Sequence, residues 1–198
     1  MRSKPVHTPA CAAPDAVIGL PFGRMGLHCT DEAVTRLDYL PPETPLRPPV
    51  ASLCRELHAQ LLAYCADPAH RFDLPLQPAG TPFQRRVWTL LRQIPPGRTR
   101  TYGDAAAELH SAARAVGQAC GANPFAPIVP CHRIVARGGL GGFAHSTAES
   151  GYLLGVKRWL IQHESRLALA HGTTLLATLD SPRELSATFG RPCGGAHG

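Results

Sequence analysis

The chain has 198 residues, of which 44% are hydrophobic and 17% are charged. These proportions are typical of a globular protein and exclude a disordered chain. No segment approaches the run of about eighteen apolar residues that spans a bilayer, which argues against a membrane protein. The first 13 residues lack the apolar stretch of a signal peptide, so we expect a cytoplasmic protein.

The formal net charge of +6 is concentrated in the middle of the chain. Residues 77–163 carry a net charge of +7, whereas residues 1–76 carry −1 and residues 164–198 carry none. Eighteen of the twenty basic residues are arginine, the side chain best suited to hydrogen bonding with phosphate groups. Charge alone fits a solubilising surface equally well. Its localisation to one segment favours nucleic-acid binding.

The seven cysteines are odd in number and follow no framework spacing, which indicates free thiols in a reducing compartment. A free cysteine is usually a small buried hydrophobe, so a special role has to be argued for any of them. Their spacing is also irregular for a structural zinc site, and we expect no bound metal. The cysteines are Cys11, Cys29, Cys54, Cys65, Cys120, Cys131 and Cys193.

The first 76 residues are predicted to form a small α/β unit. Ala16–Pro21 and Gly26–Cys29 have the pattern of short strands joined by a turn at residues 22–25, and Ala33–Leu40 is a third candidate strand. Apolar residues then recur at steps of three and four, which predicts a helix that Pro68 ends. This apolar stripe consists of Val50, Leu53, Cys54, Leu57, Leu61 and Cys65.

Three further helices are predicted in the basic segment. Thr81 with Gln84 forms a capping box for the first helix, which the Pro-Pro-Gly sequence after Ile94 ends. Thr101 with Asp104 forms a second capping box, which opens a helix to about residue 110. Ser111 is predicted to cap a third helix, which runs to about residue 121. Two short helices joined by a tight turn in a basic segment suggest a helix-turn-helix.

Cys131 is followed by His132 and Arg133. A thiol becomes a nucleophile as the thiolate, which nearby positive charge or a proton acceptor favours. The alternative is a buried structural cysteine. Adjacent side chains point to opposite faces of a strand and far apart around a helix, so His132 is expected to act on Cys131 through a water molecule. Glu164, at the end of a mostly apolar helix, is either the partner that orients His132 or an ordinary solvated carboxylate.

Other chemistries fit poorly. A zinc deaminase signature needs a second cysteine three residues after the first, but Ile134 occupies that position. The glycine-rich segment Gly138–Gly142 does not open a helix after a strand, as a phosphate-binding or dinucleotide-binding loop would. We therefore expect no cofactor.

Seven motifs follow one another between Thr81 and Glu164. They are FQRRVW at Phe83–Trp88, IPPGRTRTYGDAA at Ile94–Ala106, ARAVG at Ala113–Gly117, NPF at Asn123–Phe125, PCHRIV at Pro130–Val135, GGF at Gly141–Phe143 and VKRWLIQHE at Val156–Glu164. In order and approximate spacing they resemble the O6-alkylguanine-DNA alkyltransferases (methylated-DNA–protein-cysteine methyltransferases). The first 75 residues match only in outline. Two departures are Phe143, where the family usually has tyrosine, and a loop at residues 144–154 that is longer than in compact members.

The resemblance implies an α/β N-terminal domain, made of a small sheet plus a helix, followed by a mainly α C-terminal domain with a winged helix-turn-helix-like DNA-binding unit. We expect a loose tail at 1–14, domains at 15–76 and 77–168, and a weakly ordered tail at 169–198. The implied activity is DNA repair by irreversible, single-turnover transfer of the alkyl group of O6-alkylguanine to Cys131. The implied partner is double-stranded DNA, and the protein would be a monomer without a cofactor; activity on O4-alkylthymine is left open.

The resemblance also implies residue roles. Cys131 would be the alkyl acceptor, His132 its base through a water molecule, and Glu164 the group that orients His132. Asn123 would brace the turn linking the recognition helix to the active-site strand that carries Cys131. Tyr102 would help to rotate the nucleotide and donate a hydrogen bond to the departing guanine. The DNA-contacting residues would be Arg114, as a finger inserted into the base stack, with Tyr102, Ala113, Gly117 and Arg133. The substrate pocket would include Pro130, Gly142 and Phe143.

Three alternatives stay open from the sequence. A damage sensor of the same fold would lack a reactive cysteine, which Cys131 argues against. A transcription regulator would use the helix pair and keep Cys131 inert, so a thiol-reactivity assay distinguishes it. A cysteine hydrolase using Cys131 and His132 would turn over many times on ester or peptide substrates.

Overall fold

The computed structural model describes residues 13–144 and 151–170. Over these ranges the chain forms a three-stranded antiparallel sheet, a two-stranded parallel pair and five α-helices. The predicted tails lie almost wholly outside the described residues, as do Cys11, Cys193 and positions 145–150 of the predicted long loop. No helix in the described part of the chain is both long and apolar enough to cross a membrane.

The three-stranded sheet has the order β1-β2-β3, with β1 at Ala16–Leu20, β2 at Gly23–Cys29 and β3 at Val34–Leu40. The turn between β1 and β2 contains two residues, so the predicted turn at residues 22–25 was wrong and β2 begins three residues earlier. Gly23 pairs with the last residue of β1 and has a φ of 133°. This backbone conformation favours glycine and allows the chain to reverse so tightly.

Helix α1, at Ser52–Ala66, packs on this sheet with Leu57 and Leu61 fully buried. The prediction that Pro68 stops the helix is confirmed, because α1 ends at the second residue before it. Val50 does not belong to the apolar stripe: it precedes the helix and is 79% exposed. The stripe instead gains Tyr64, whose ring is buried.

The C-terminal half contains α2 at Pro82–Gln93, α3 at Tyr102–Glu108 and α4 at Ala113–Gly121. Both predicted capping boxes are confirmed, at the start of α2 and of α3. The prediction for α4 was wrong, because its N-cap is Ala112, which makes no side-chain cap, and not Ser111.

Cys131 lies on a short 3₁₀ turn at Cys131–Arg133, not on a strand as predicted. The turn leads into β5, Ile134–Val135, which pairs in parallel with β4, Arg100–Thr101. The last helix, α5 at Tyr152–Ala170, continues beyond Glu164. Glu164 is therefore an interior helix residue and not a helix end.

Both halves of the chain contribute to one buried apolar cluster. Leu57 and Leu61 of α1, Val87 and Leu91 of α2 and Leu160 of α5 are all fully buried in it. Burial of apolar side chains is the main stabilising contribution to folding, so this shared cluster holds α5, and the polar residues it carries, against the 3₁₀ turn.

Candidate active site

Cys131 is 4% exposed and lines a cavity of about 420 Å³. The 3₁₀ turn, helix α4 and the glycine-rich segment around Gly142 form the walls of this cavity, which we call the alkyl pocket. Its lining residues are Tyr102, Ala113, Arg114, Gly117, Gln118, Cys120, Gly121, Cys131, Gly142, Phe143 and Ala144.

Asn123 spans the chain reversal that leads into Cys131. Its Nδ2 donates to the Val129 carbonyl at 2.7 Å, and its Oδ1 accepts from the Phe125 amide at 3.0 Å. This geometry is that of a brace, the role that the resemblance implied for it. The Asn123 side chain also acts on the Cys131 thiol: burial raises the pKa of that thiol, and a hydrogen bond with Asn123 opposes the rise.

His132, which follows Cys131 in the chain, forms a buried pair with Glu164. His132 Nε2 lies 2.9 Å from Glu164 Oε1, and the two residues are 1% and 2% exposed. An ionised carboxylate only accepts hydrogen bonds, so the proton of a neutral His132 is on Nε2 and the lone pair is on Nδ1. Nδ1 is buried and has no hydrogen-bond partner within residues 13–144 and 151–170. It is therefore free to accept a proton.

Glu164 is held by donors from three parts of the chain. Besides His132, it accepts from the Tyr64 hydroxyl at 2.9 Å, from the Gly97 amide at 3.2 Å, and from two guanidinium nitrogens of Arg133 at 2.9 and 2.8 Å. Burial acts to raise the pKa of Glu164, but His132 and Arg133 together outweigh it and hold this pKa well below its usual range. Glu164 is therefore an ionised carboxylate in a fixed orientation.

Arg133 has a different role from the predicted DNA contact. Its guanidinium points inward, where it pairs with Glu164 and donates to the Ile94 carbonyl at 2.5 Å. The side chain is 11% exposed. A bidentate pair of this kind fixes the carboxylate geometrically as well as electrostatically, so Arg133 is a positioning residue for Glu164.

Burial raises the pKa of the Cys131 thiol, and the opposing effects of Asn123 and of the Lys157 ammonium do not cancel that rise. A thiol with a raised pKa is mostly protonated at neutral pH, so Cys131 would need a proton acceptor to react as a nucleophile. His132 is suited to this role because burial lowers the pKa of its imidazole and keeps it neutral, although Glu164 opposes this shift.

Lys157 is a site residue that the sequence analysis missed. It is fully buried, and its Nζ donates to the carbonyls of Leu140 at 2.6 Å and Gly142 at 3.0 Å. Burial lowers the pKa of Lys157 to about 8, although Cys131 and Cys120 act in the opposite direction. Helical spacing could have revealed it, because Lys157 precedes Glu164 by seven residues and lies on the same face of α5.

The remaining predicted site residues fall into two groups. Tyr102 and Phe143 line the alkyl pocket, where the Tyr102 hydroxyl donates to the Gly142 carbonyl at 3.1 Å and the Phe143 ring packs on that of Tyr39 at 5.3 Å. Pro130 was predicted to line this pocket, but it does not. It lines a second cavity on the other side of the 3₁₀ turn.

Helix α4 presents its predicted DNA-contacting residues beside the alkyl pocket. Ala113, Arg114 and Gly117 all line it. A Cβ at Gly117 would lie 3.7 Å from the Tyr102 ring, an ordinary van der Waals contact, so Gly117 packs against the ring of Tyr102. The described residues contain no group of three or more His, Cys, Asp or Glu side chains that could hold a metal ion.

A buried thiol, a histidine–carboxylate pair next to it in the chain, and a pocket bordered by a short helix pair are the arrangement expected of a protein that uses a cysteine nucleophile. The family model described as 6-O-methylguanine DNA methyltransferase, DNA binding domain, matches residues 82–166. The chain is 37% identical over 147 residues to a methylated-DNA–protein-cysteine methyltransferase of Methanosarcina acetivorans, a match that covers 70% of this chain and 94% of that relative. It is 50% identical over 94 residues to the Salmonella typhimurium enzyme of the same name, covering 46% and 50% respectively.

Solved structures agree with these matches. The Mycobacterium tuberculosis O6-methylguanine methyltransferase is 36% identical with a TM-score of 0.62, and the match covers 76% of this chain and 91% of that one. The same values hold for the M. tuberculosis protein in complex with DNA. The chain belongs to the methylated-DNA–protein-cysteine methyltransferase family. The resemblance identified from its sequence is thereby confirmed.

Proposed function

We propose that this protein repairs DNA by transferring the alkyl group of O6-alkylguanine, in duplex DNA, onto its own Cys131. The observation that carries the proposal is the position of Cys131, which lines the alkyl pocket on one side and is followed by the His132–Glu164 pair on the other. Family membership supports the same reaction, because the relatives are named for transfer between methylated DNA and a protein cysteine.

The reaction begins with the removal of the thiol proton. A water molecule bridges Cys131 and the free Nδ1 of His132, and carries the proton to the imidazole, whose other nitrogen is held by Glu164. The thiolate then attacks the alkyl carbon in line with the bond to O6. The S–C bond forms, the C–O6 bond breaks, and its electron pair leaves with guanine, which takes up one proton. The product is a thioether, which has no easy route back to the thiolate, so each molecule reacts once.

Access to O6 requires the nucleotide to leave the base stack, at a cost of a few kcal/mol. Helices α3 and α4 act as the helix-turn-helix-like unit that docks on the duplex, and the small residues Ala113 and Gly117 let α4 approach the groove. Arg114 enters the stack and fills the space left by the flipped base. Tyr102 helps to rotate the nucleotide, and its hydroxyl exchanges the hydrogen bond that it donates to the Gly142 carbonyl for one to the departing guanine.

The two domains of the chain have different roles in this reaction. Residues 15–76 form the supporting α/β domain, and residues 77–168 form the domain that binds DNA and carries out the transfer. The nucleophile, base and orienting groups all come from one chain, so a monomer suffices. Cys131 has to remain a free thiol, which places the reaction in a reducing compartment.

Intact-mass measurement after incubation with an O6-methylguanine duplex tests the proposal. We expect the mass to rise by one methyl group per molecule, and peptide mapping should place it on Cys131. Cys131→Ala should abolish the transfer, whereas Cys120→Ala, a matched control in the same pocket, should retain it. Many turnovers per molecule, or methylation of Cys120, would overturn the proposal.

A further inference from the structure

A second cavity of about 860 Å³ lies on the side of the 3₁₀ turn away from the alkyl pocket. No lining residue is shared between the two cavities. Pro130, which precedes Cys131, and Arg133, which follows it by two residues, line this one. Its other walls come from the segment at residues 69–74 after α1 and from the segment at residues 92–98 that ends α2. We call it the arginine cavity.

The arginine cavity carries an excess of positive charge. Arg71, Arg92 and Arg98 line it, and none of the three makes a side-chain hydrogen bond or ion pair within the described residues. The fourth arginine of the lining, Arg133, is already neutralised by Glu164. Asp73 is the carboxylate that faces the three uncompensated guanidinium groups from the lining. Like charges gathered around one recess repel each other, so an anion bound between them is stabilised.

The cavity also has apolar side chains in its walls. The His70 ring lines it and packs edge-on against Phe72 at 5.4 Å. Phe72, Ile94 and Ile128 add apolar surface beside the three arginines.

We propose that the arginine cavity binds a small phosphate-bearing anion. The guanidinium fork matches phosphate oxygens in geometry and charge, and a recess of this volume lies within the range typical of small-molecule sites. The phosphodiester backbone of DNA is the other source of the same chemistry. The free small molecule is favoured because the site is a recess, and because it shares no residue with the pocket to which the proposed function assigns the flipped nucleotide.

Isothermal titration with inorganic pyrophosphate at constant ionic strength tests this site in the full-length protein. We expect saturable binding with one pyrophosphate per chain. The double variant Arg71→Gln/Arg92→Gln should weaken that binding at least tenfold, because it removes two uncompensated guanidinium groups. Arg158→Gln, an exposed arginine of α5 that lines neither cavity, is the matched control and should change the affinity less than twofold.

The same three proteins are then titrated with unmodified duplex DNA. An unchanged duplex affinity in the double variant supports a separate small-molecule site. A parallel loss of duplex affinity assigns the arginines to the DNA backbone and overturns the proposal. Absence of saturable pyrophosphate binding to the wild type, or an equal loss in Arg158→Gln, also overturns it. The reaction of each variant with free O6-benzylguanine shows whether that variant is folded.

Discussion

Replacing Glu164 with glutamine keeps the shape of the side chain and removes its charge. The native carboxylate accepts five hydrogen bonds, two of them from Arg133, whose side chain is only 11% exposed. The new amide group is a donor that faces other donors, and the Arg133 guanidinium loses its counter-charge. Breaking a buried ion pair from one side costs about 3–5 kcal/mol. We therefore expect Glu164→Gln to lower the free energy of unfolding by about that amount.

The pH dependence of this loss follows from the depressed pKa of Glu164. In the unfolded chain a glutamate titrates near its ordinary pKa of about 4.3. The stabilisation by the carboxylate is therefore fully present above that pH and is lost as the pH falls toward the lower pKa of the folded state. The difference in stability between wild type and Glu164→Gln should stay constant from pH 8 to about pH 5 and shrink in more acidic solution.

Urea denaturation at several pH values, together with the rate of reaction with free O6-benzylguanine, measures both consequences. Loss of the orienting carboxylate should slow the reaction by about 10- to 100-fold, below the full contribution of a general base. Tyr64→Phe is the matched control, because it removes one hydrogen bond from a neutral hydroxyl to the same carboxylate oxygen and should cost less, about 1.5–3 kcal/mol. If Glu164→Gln behaves like Tyr64→Phe in stability and leaves the pH profile of the reaction unchanged, the relay is refuted.

Two further predictions concern DNA handling and the alkyl-pocket wall. Arg114→Ala should strongly reduce repair of duplex substrate but barely change the reaction with free O6-benzylguanine; an unchanged ratio of the two rates at several salt concentrations would show that Arg114 is not the inserted finger. Burial lowers the pKa of Lys157 from 10.5 to about 8 in the folded protein. Between pH 8 and pH 10.5 the unfolded chain therefore binds a proton that the folded protein has lost. The stability of wild type relative to Lys157→Met should therefore rise by about 3 kcal/mol over that window in urea denaturation, and a flat difference would contradict the buried, cationic assignment.

Local sequence signals predicted the features that depend on a few adjacent residues. The capping boxes of α2 and α3 formed as expected, because cap and partner are three positions apart and need no tertiary context. The same reasoning failed at Ser111, since the packing of α4 and not its cap decides where that helix begins. The strand predicted at Cys131 also failed, because a three-residue turn leaves no periodic pattern.

For the candidate site, the sequence pointed to Cys131, His132 and Glu164, but not to what surrounds the carboxylate. Tyr64 is 100 residues from Glu164, and such a contact exists only once the two halves of the chain share a core. Arg133 was expected to face DNA because a basic segment gives no indication of which guanidinium points inward. Only the burial of Glu164 shows that it needs a cationic partner.

The hydrogen bond between Tyr64 and Glu164 also limits how the protein can be shortened. The segment at residues 82–166 contains Cys131, His132 and Glu164, so it could be taken for a unit that reacts on its own. One of the donors that fixes the carboxylate nevertheless comes from helix α1, outside that segment. A truncated protein without α1 would keep every reacting atom, but its Glu164 carboxylate would lose one of the hydrogen bonds that hold it in place. An engineer building a compact self-labelling module from this chain would have to retain α1 or supply a hydroxyl in its place.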